Sequence, residues 1–334
     1  MKVSAQVSAR GGLTPCLFMV RLTAVCALWA LGAGAALANA PERHRINATP
    51  QVLVLNTPER GPAPSEMTPV PYAVSTVTLE RTFLDGFSSF TPNTPPWRHH
   101  FDHGPYDKHW ARTLSSNQEQ QLNVDPGYAG SGPQPLGLNP FSVKGGVLQI
   151  TGRAAPKAAL PFLENYEYVS GMLSSAGSFE QKYGFFEARL RVPGGQGVWP
   201  AFWLKRDARY APEGGPSWPP EIDVMEHIGA AASYHVTTHW DLAPNNQRSG
   251  LELDVEAPTQ RFHNYGVLWD QERTVFYLDR QPVAQIETKP NHHVAMFILI
   301  NMALGGRWPG PVDPGDLPAT FEIDWVAAWQ FSDK

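Results

Sequence analysis

Cysteine is almost absent from this sequence of 334 residues. The two cysteines that occur, Cys16 and Cys26, both lie within the first forty positions. From residue 41 onward the chain therefore has no disulfide, no thiol nucleophile and no metal site built on cysteine.

Positive charge is also scarce. Three of the 26 Lys+Arg residues and none of the 31 Asp+Glu residues precede residue 41, so beyond it 23 basic residues face 31 acidic ones, a formal net charge of −8. An acidic chain without a basic patch is atypical of nucleic-acid-binding proteins. We expect a neutral substrate and no nucleic-acid partner.

Long apolar runs are confined to the amino terminus. Three basic residues precede an apolar run over residues 22–37. The small-residue pattern Ala38-Asn39-Ala40 follows this run. This order is typical of a secretory signal peptide, here residues 1–40. A membrane anchor is the alternative, but the run is short and two glycines interrupt it. The sequence therefore predicts a secreted or periplasmic protein that is free of the membrane after cleavage.

Proline is frequent in the next segment. Residues 41–78 contain seven prolines, a composition typical of a stiff, extended linker. We expect poor order here, with at most a short strand at Gln51–Leu55. Residues 79–334 then form one folded domain, of a usual size for a single all-β domain.

No long segment of that domain keeps the helical period of 3.6 residues. Short runs rich in β-branched and aromatic residues recur instead, separated by Gly, Pro, Asn and Asp. The predicted strands include Gly146–Thr151, Phe185–Val192, Tyr234–Trp240, His263–Trp269, Thr274–Leu278, Val294–Met302 and Thr320–Trp329. The pattern predicts an all-β fold of two packed antiparallel sheets, a sandwich or jelly roll.

The densest group of acids lies within Glu221-Ile222-Asp223-Val224-Met225-Glu226. On a regular strand Glu221 and Asp223 share one face and Glu226 points to the other. A β-bulge near Val224–Met225 would return Glu226 to the face of the other two acids. A solvated acidic edge strand is the alternative, which the apolar residues between the acids disfavour because they imply one face packed on a core.

The bulge would give the acids a chemical use. The backbones of Glu221 and Glu226 would lie roughly 13 Å apart, at ~3.3 Å per strand step, and their side chains could close that to roughly 5 Å. Retaining glycosidases place a nucleophilic and a proton-donating carboxyl group ~5–5.5 Å apart. Asp223 between them would crowd negative charge and separate the neighbouring pKa values.

Eleven tryptophans are a second indication of a sugar-binding protein. An indole ring packs on the apolar face of a sugar and donates a hydrogen bond through its N–H group. Core packing is the alternative for each ring, and Trp203 fits either interpretation. Trp199, which follows a glycine-rich loop over residues 194–198, is the stronger binding candidate.

With these residues, the chain resembles glycoside hydrolase family 16 over residues 80–332. Residues 221–226 are similar to the family's E-x-D-x-x-E signature in its bulged form, found in the laminarinase-like and exopolysaccharide-cleaving branches. Further similar blocks are Tyr183–Arg189 with Trp199-Pro200-Ala201-Phe202-Trp203, Phe262–Trp269 and Leu299–Gly306.

The resemblance implies a concanavalin-like jelly roll with a concave substrate cleft and a two-step retaining mechanism. It assigns Glu221 as the nucleophile, Glu226 as the general acid/base and Asp223 as a support that shares a proton with the nucleophile. The predicted substrate-binding residues are Asn117, Glu187, Arg189, Trp199, Trp203 and His239, although a core histidine is the alternative for His239.

Calcium is the metal that the resemblance suggests. Many relatives hold a structural calcium ion near a late aspartate, and Asp324 occupies the corresponding position. Calcium takes six or more oxygen ligands, many of them from the backbone, so Asp324 is a candidate ligand only. No cofactor is expected for catalysis.

The predicted function is endo-hydrolysis of a β-1,3- or mixed β-1,3-1,4-linked glucan, or of a related bacterial exopolysaccharide, by a monomer that retains configuration. The alternatives are a transglycosylase on the same fold, an agarase- or carrageenase-like galactanase, and a non-catalytic β-glucan-binding lectin. Such lectins usually lack one of the glutamates, whereas this chain keeps all three acids.

Overall fold

The computed structural model describes residues 48–59, 62–70, 73, 75–211, 218, 220–241 and 247–332. The predicted signal peptide lies outside the described residues. Within them, the strands are β1 Val52–Thr57, β2 Thr68–Pro69, β3 Ser75–Asp85, β4 Gln121–Asn123, β5 Phe141–Lys144, β6 Val147–Ala154, β7 Tyr168–Ser170, β8 Met172–Ser174, β9 Glu180–Gln181, β10 Gly184–Arg191, β11 Val198–Arg206, β12 Glu221–Glu226, β13 Ser233–Trp240, β14 Gln247–Asp254, β15 His263–Trp269, β16 Arg273–Leu278, β17 Gln281–Glu287, β18 Met296–Leu304 and β19 Ala319–Phe331. Three-residue 3-10 helices lie in the connections at His109–Ala111, Ser115–Asn117, Leu160–Phe162, Ala208–Tyr210, Pro290–His292 and Pro314–Asp316.

The strands form two sheets, which confirms the predicted all-β class. The front sheet has the order β14-β13-β12-β11-β18-β8, with β9 also paired to β18. The back sheet has the order β2-β17-β16-β15-β10-β19-β6-β7-β4, and β3, β1 and β5 add to it through β19, β3 and β6. β4 and β7 pair in parallel. No helix within the described residues is long and apolar enough to cross a lipid bilayer.

The main core lies between the two sheets. Alternation along β10 turns Phe186, Ala188 and Leu190 into this core, where they join Ile222 and Val224 of β12. Side chains of opposite parity on β10 therefore face the outer side of the back sheet, because successive strand residues point to opposite faces. Polar side chains on this outer side of β10 therefore point away from the front sheet.

The described residues before position 79 include β1 and β2, which corrects the prediction of an extended linker there and extends the short strand expected at Gln51–Leu55. β1 pairs with β3 along its whole length, and Leu53 and Leu55 are buried on the outer face of the back sheet. Trp329 Nε1 donates to the Pro50 carbonyl at 2.9 Å. Burial alternates along Val52–Thr57, with its Leu residues inside and its Val residues outside. The domain therefore includes β1.

The central strand of the back sheet, β19, comes last in chain order among the described strands. It pairs along one edge with β10 and along the other with β6 in its first half and β3 in its second half. Its side chains from Phe321 to Trp329 are nearly all buried. This one strand therefore joins the early and the middle parts of the chain.

Candidate active site

A β-bulge in β12 gathers the three acids on one face. Against β11, Met225 lies opposite Phe202 and Asp223 opposite Trp203, so Val224 is the extra residue in β12. Val224 and Met225 both enter the core with Ile222. Glu226 consequently returns to the face of Glu221 and Asp223. This confirms the bulge predicted from the spacing of the acids.

The two glutamates are each held by a tryptophan N–H group. Trp218 Nε1 donates to Glu221 Oε2 at 2.9 Å, and Trp199 Nε1 donates to Glu226 Oε1 at 3.1 Å. Each bond fixes one carboxylate oxygen and leaves the other for chemistry. Trp199 therefore lies in the site, as predicted, beside the expected acid/base.

His239 lies directly across from Glu221 in the pairing of β12 with β13. Its Nε2 atom is 3.3 Å from Asp223 Oδ2 and 3.8 Å from Glu221 Oε1. His239 therefore lies on the face of the three acids, with Asp223 and Glu221 rather than Glu226 as its near acid neighbours. The His292 ring is hydrogen-bonded to the His239 carbonyl at 2.9 Å and ties this end of β13 to the loop before β18.

Burial raises the pKa of all three acids, and repulsion between carboxylates adds to the shifts of Glu221 and Glu226. Burial contributes most to the raised pKa of Glu221, and the neighbouring Asp223 carboxylate adds to it. Burial also raises the pKa of Asp223. The pKa of Glu226 lies well above its usual value because of burial and of repulsion from the other two acids. Since carboxylates this close do not all ionise, the site retains a proton at neutral pH.

A buried ion pair stands next to Glu221. Lys205 of β11 lies opposite Glu221, and its Nζ atom is 2.9 and 3.0 Å from the two carboxylate oxygens of Asp102. The charges of His239 and Lys205 and the hydrogen bond from Trp218 all lower the pKa of Glu221, opposing the effect of burial. These neighbours favour the ionised form that a nucleophile requires.

Trp203 lies on the same face but is covered. Its ring is 6% exposed and packs with Phe101 and Leu299 beneath the segment before β4. Trp203 Nε1 donates to Asn301 Oδ1 at 2.7 Å. The residue stands beside Asp223 in the sheet and supports the floor of the site, so its predicted contact with sugar is limited to a small exposed edge.

Asn117 lies at the margin of the site, not among the acids. Its side chain donates to the buried Glu119 at 3.3 Å, and its carbonyl accepts from the Arg307 N–H group at 2.8 Å. The next residue, Trp308, packs edge-on against Trp199 with ring centroids 5.3 Å apart. Asn117 therefore positions the loop that carries Trp308.

Glu187 is the clearest error among the predicted substrate-binding residues. It belongs to β10 of the back sheet and points to the outer face, opposite the core side chains Phe186 and Ala188. The side chain is fully buried and paired with Arg280, whose Nη2 atom is 2.8 Å from Glu187 Oε2. Burial raises the pKa of Glu187 to about 6, although Arg280 opposes the shift. Glu187 is a structural ion-pair partner remote from β12.

Arg189 is wrong for the same reason, and its contact also bears on calcium. Arg189 Nη1 is 3.0 Å from Asp324 Oδ2, on the outer face of the back sheet. The guanidinium group places a positive charge at the carboxylate that a calcium ion would need. This ion pair competes with the suggested calcium ion for one of the two Asp324 oxygens, and calcium binding at Asp324 stays a prediction.

Two cleft residues escaped the sequence analysis. His235 lies opposite Glu226 in β13, two steps along the same face from Thr237 and four from His239. Its ring centroid is 4.7 Å from that of Trp308, which is 43% exposed. The strand period of two, applied from His239, would have identified His235. Trp308 follows a Gly-Gly pair and offered no such periodic signal.

Comparison with known proteins assigns a family. Residues 142–327, more than half of the chain, match the model for glycosyl hydrolases family 16. The chain is 38% identical over 256 residues to an endo-1,3-1,4-beta-glycanase, ExsH, of Rhizobium meliloti (strain 1021), covering 75% of this chain and 52% of that protein. A second such glycanase of the same strain, EglC, is 36% identical over 258 residues with the same coverage. The chain thus spans about half the length of these relatives.

A solved structure agrees in fold. The laminarinase from Rhodothermus marinus superposes with a TM-score of 0.61 at 26% identity, covering 76% of this chain and 98% of that chain. The match includes nearly all of the solved chain, so the likeness extends over its whole fold.

Proposed function

Because the chain belongs to family 16 of the glycosyl hydrolases, we propose that it is an endo-acting β-glycanase that retains configuration. The observation that carries the proposal is the bulge in β12, which sets Glu221, Asp223 and Glu226 on one face. Two glutamates with separate tryptophan partners on that face suit the separate roles of nucleophile and acid/base.

In the first step, Glu226 protonates the glycosidic oxygen while Glu221 attacks the anomeric carbon. The high pKa of Glu226 suits a group that must hold a proton in the free protein. Lys205 and Trp218 favour the carboxylate form of Glu221. In the second step, Glu226 takes a proton from water, which releases the sugar from Glu221. Asp223 shares a proton with the nucleophile as its charge changes.

We assign a β-1,3- or mixed β-1,3-1,4-linked glycan as substrate, with a bacterial exopolysaccharide of such linkage included. The support is twofold: the bulged signature and the names of the two Rhizobium relatives. Exposed Trp308 and half-buried Trp199 offer aromatic faces for sugar rings beside Glu226. Transfer to a sugar hydroxyl instead of water is the second candidate, and longer products would reveal it.

We further propose that the protein acts outside the cytoplasm as a monomer. The signal-like order of residues 1–40 supports export. All three acids and the tryptophans that bind them come from one chain, so the site needs no partner subunit.

The proposal is tested by replacing each glutamate and adding azide. Glu221→Ala and Glu226→Ala are both expected to lose hydrolysis of barley mixed-linkage glucan. With a β-linked aryl oligosaccharide and azide, Glu221→Ala should give an α-glycosyl azide and Glu226→Ala a β-glycosyl azide. The first product forms because azide attacks from the side that the nucleophile has vacated, the second because the covalent intermediate still forms.

The stereochemistry of the azide product, read by NMR, decides the roles. Identical products from both variants, or normal turnover by either, would contradict the assignment. Circular dichroism of each variant confirms that the fold is unchanged.

A further inference from the structure

The front face of β12 and β13 also has the arrangement of a metal site. Glu221, Asp223 and His239 each offer one ligand atom, and these atoms all lie within 4.8 Å of one another. Among the described residues, they form the one group of three or more such side chains. The group combines an imidazole nitrogen with two carboxylate oxygens.

The spacing of these atoms suits a small transition-metal ion. Bonds of ~2.0–2.2 Å in a tetrahedral zinc site put neighbouring ligand atoms about 3.3–3.6 Å apart. Asp223 Oδ2 and His239 Nε2 are 3.3 Å apart, and Glu221 Oε1 is 3.8 Å from the same nitrogen. All three atoms lie within 4.8 Å of one another, so a shift of the Glu221 side chain toward the other two would complete the set.

The ligand atoms also have free lone pairs. Asp223 Oδ2 is buried and has no hydrogen-bond partner, although His239 Nε2 is near it. The Asp223 side chain is only 6% exposed, so burial leaves this oxygen without water as well. An unpaired buried carboxylate oxygen is costly, and a cation removes that cost. Trp218 holds Glu221 Oε2, which leaves Oε1 facing His239.

The local charge favours a divalent cation. Three carboxyl groups lie on this face, and Lys205, the nearest lysine, is already paired with Asp102. One nitrogen and two oxygen ligands suit zinc or copper(II), whereas calcium needs six or more oxygens.

We infer that the free protein binds one zinc-class ion through Glu221, Asp223 and His239, and that the ion excludes the polysaccharide. The exclusion rests on the proposed function, because the ion would occupy the nucleophile. The binding itself does not rest on it. The ion is an inhibitor here and takes no part in glycoside cleavage.

Calorimetric titration of the purified full chain, tag removed, with zinc chloride tests the binding. The wild type should bind one ion, and His239→Phe should bind at least tenfold more weakly, since one of three ligands is lost. His235→Phe is the matched control, because it removes a histidine from the same face of β13 but leaves the three ligands intact. Titration with calcium chloride should give no binding heat that differs between the wild type and His239→Phe.

Three outcomes overturn the inference: no zinc binding by the wild type, equal binding by His239→Phe, or equal weakening in His235→Phe. Should His239→Phe fail to fold, Asp223→Asn provides the same comparison. In assays on mixed-linkage glucan, zinc should raise the apparent KM of the wild type and leave kcat unchanged. The titration needs no substrate. A protein that binds zinc but has no hydrolase activity would therefore contradict the proposed function and leave the proposed metal site standing.

Discussion

β12 and β10 are alike in sequence and opposite in role. Both place charged residues among apolar ones, and both were predicted to line the cleft. β12 presents Glu221 and Glu226 on the open face of the front sheet, where each remains half-buried. β10 presents Glu187 to the outer face of the back sheet, where it is completely buried and paired with Arg280. Alternation therefore identifies two faces of a strand, but not which layer covers each face.

The largest expected effect contrasts the acids of these two strands. Glu226→Gln should lower the hydrolysis rate by at least about 10³-fold, or ~4 kcal/mol, because the amide does not donate the required proton. Glu187→Gln should keep the rate of folded protein within about twofold, since its side chain is remote from the acids. Initial rates on mixed-linkage glucan, well below the melting temperature, make the comparison.

A loss of activity in Glu187→Gln with unchanged unfolding free energy would contradict this assignment and restore Glu187 to the cleft. A loss of stability alone agrees with a buried ion pair. Urea denaturation of both variants separates the two results.

The second effect concerns the layer that covers β10. Leu55→Ala should lower the unfolding free energy by about 2–3 kcal/mol, since it leaves a cavity at a fully buried position. Val54→Ala is the matched control on the exposed side of β1 and should cost less than about 0.5 kcal/mol. Equal small losses of unfolding free energy in both variants would contradict the inclusion of β1 in the folded domain.

The smallest expected effect concerns the influence of Lys205 on Glu221 in the front sheet. Lys205→Met removes a charge that lowers the pKa of Glu221, so that pKa should rise. Since the nucleophile must be ionised, the acidic limb of the pH profile of kcat/KM should move to higher pH, by about one unit or less. The alkaline limb, which reports Glu226, should move less.

The double variant Asp102→Asn/Lys205→Met controls for the carboxylate that the single change leaves unpaired. It should show the same shift of the acidic limb with better stability. An unmoved acidic limb in both variants would show that Lys205 does not influence the nucleophile.

Much of the fold followed from local patterns. The predicted strands at 146–151, 185–192, 234–240 and 263–269 match β6, β10, β13 and β15 within three residues at each end. The bulge in β12 was also predictable. The three acids of this strand can lie on one face, and its three apolar residues on the other, only if the strand contains one extra residue. Local side-chain parity was sufficient for both conclusions.

What escaped prediction depended on contacts distant in sequence. The burial of Glu187 requires Arg280, 93 positions away. The pairing of Arg189 with Asp324 spans 135 positions and occupies the carboxylate that calcium was expected to need. Only a short strand was expected where β1 lies, because the seven prolines of residues 41–78 outweighed the alternation of Leu53 and Leu55. A single sequence shows spacing, whereas these contacts depend on how sheets are layered.

The position of β19 has a consequence for biogenesis. The middle strand of the back sheet is supplied by residues 319–331, and its neighbours β3 and β6 come from the first half of the chain. A ribosome must therefore synthesise residues 319–331 before those earlier strands gain the partner between them and β10. Until then their edges stay open and vulnerable to self-association, so we expect maturation to be slow and dependent on chaperones.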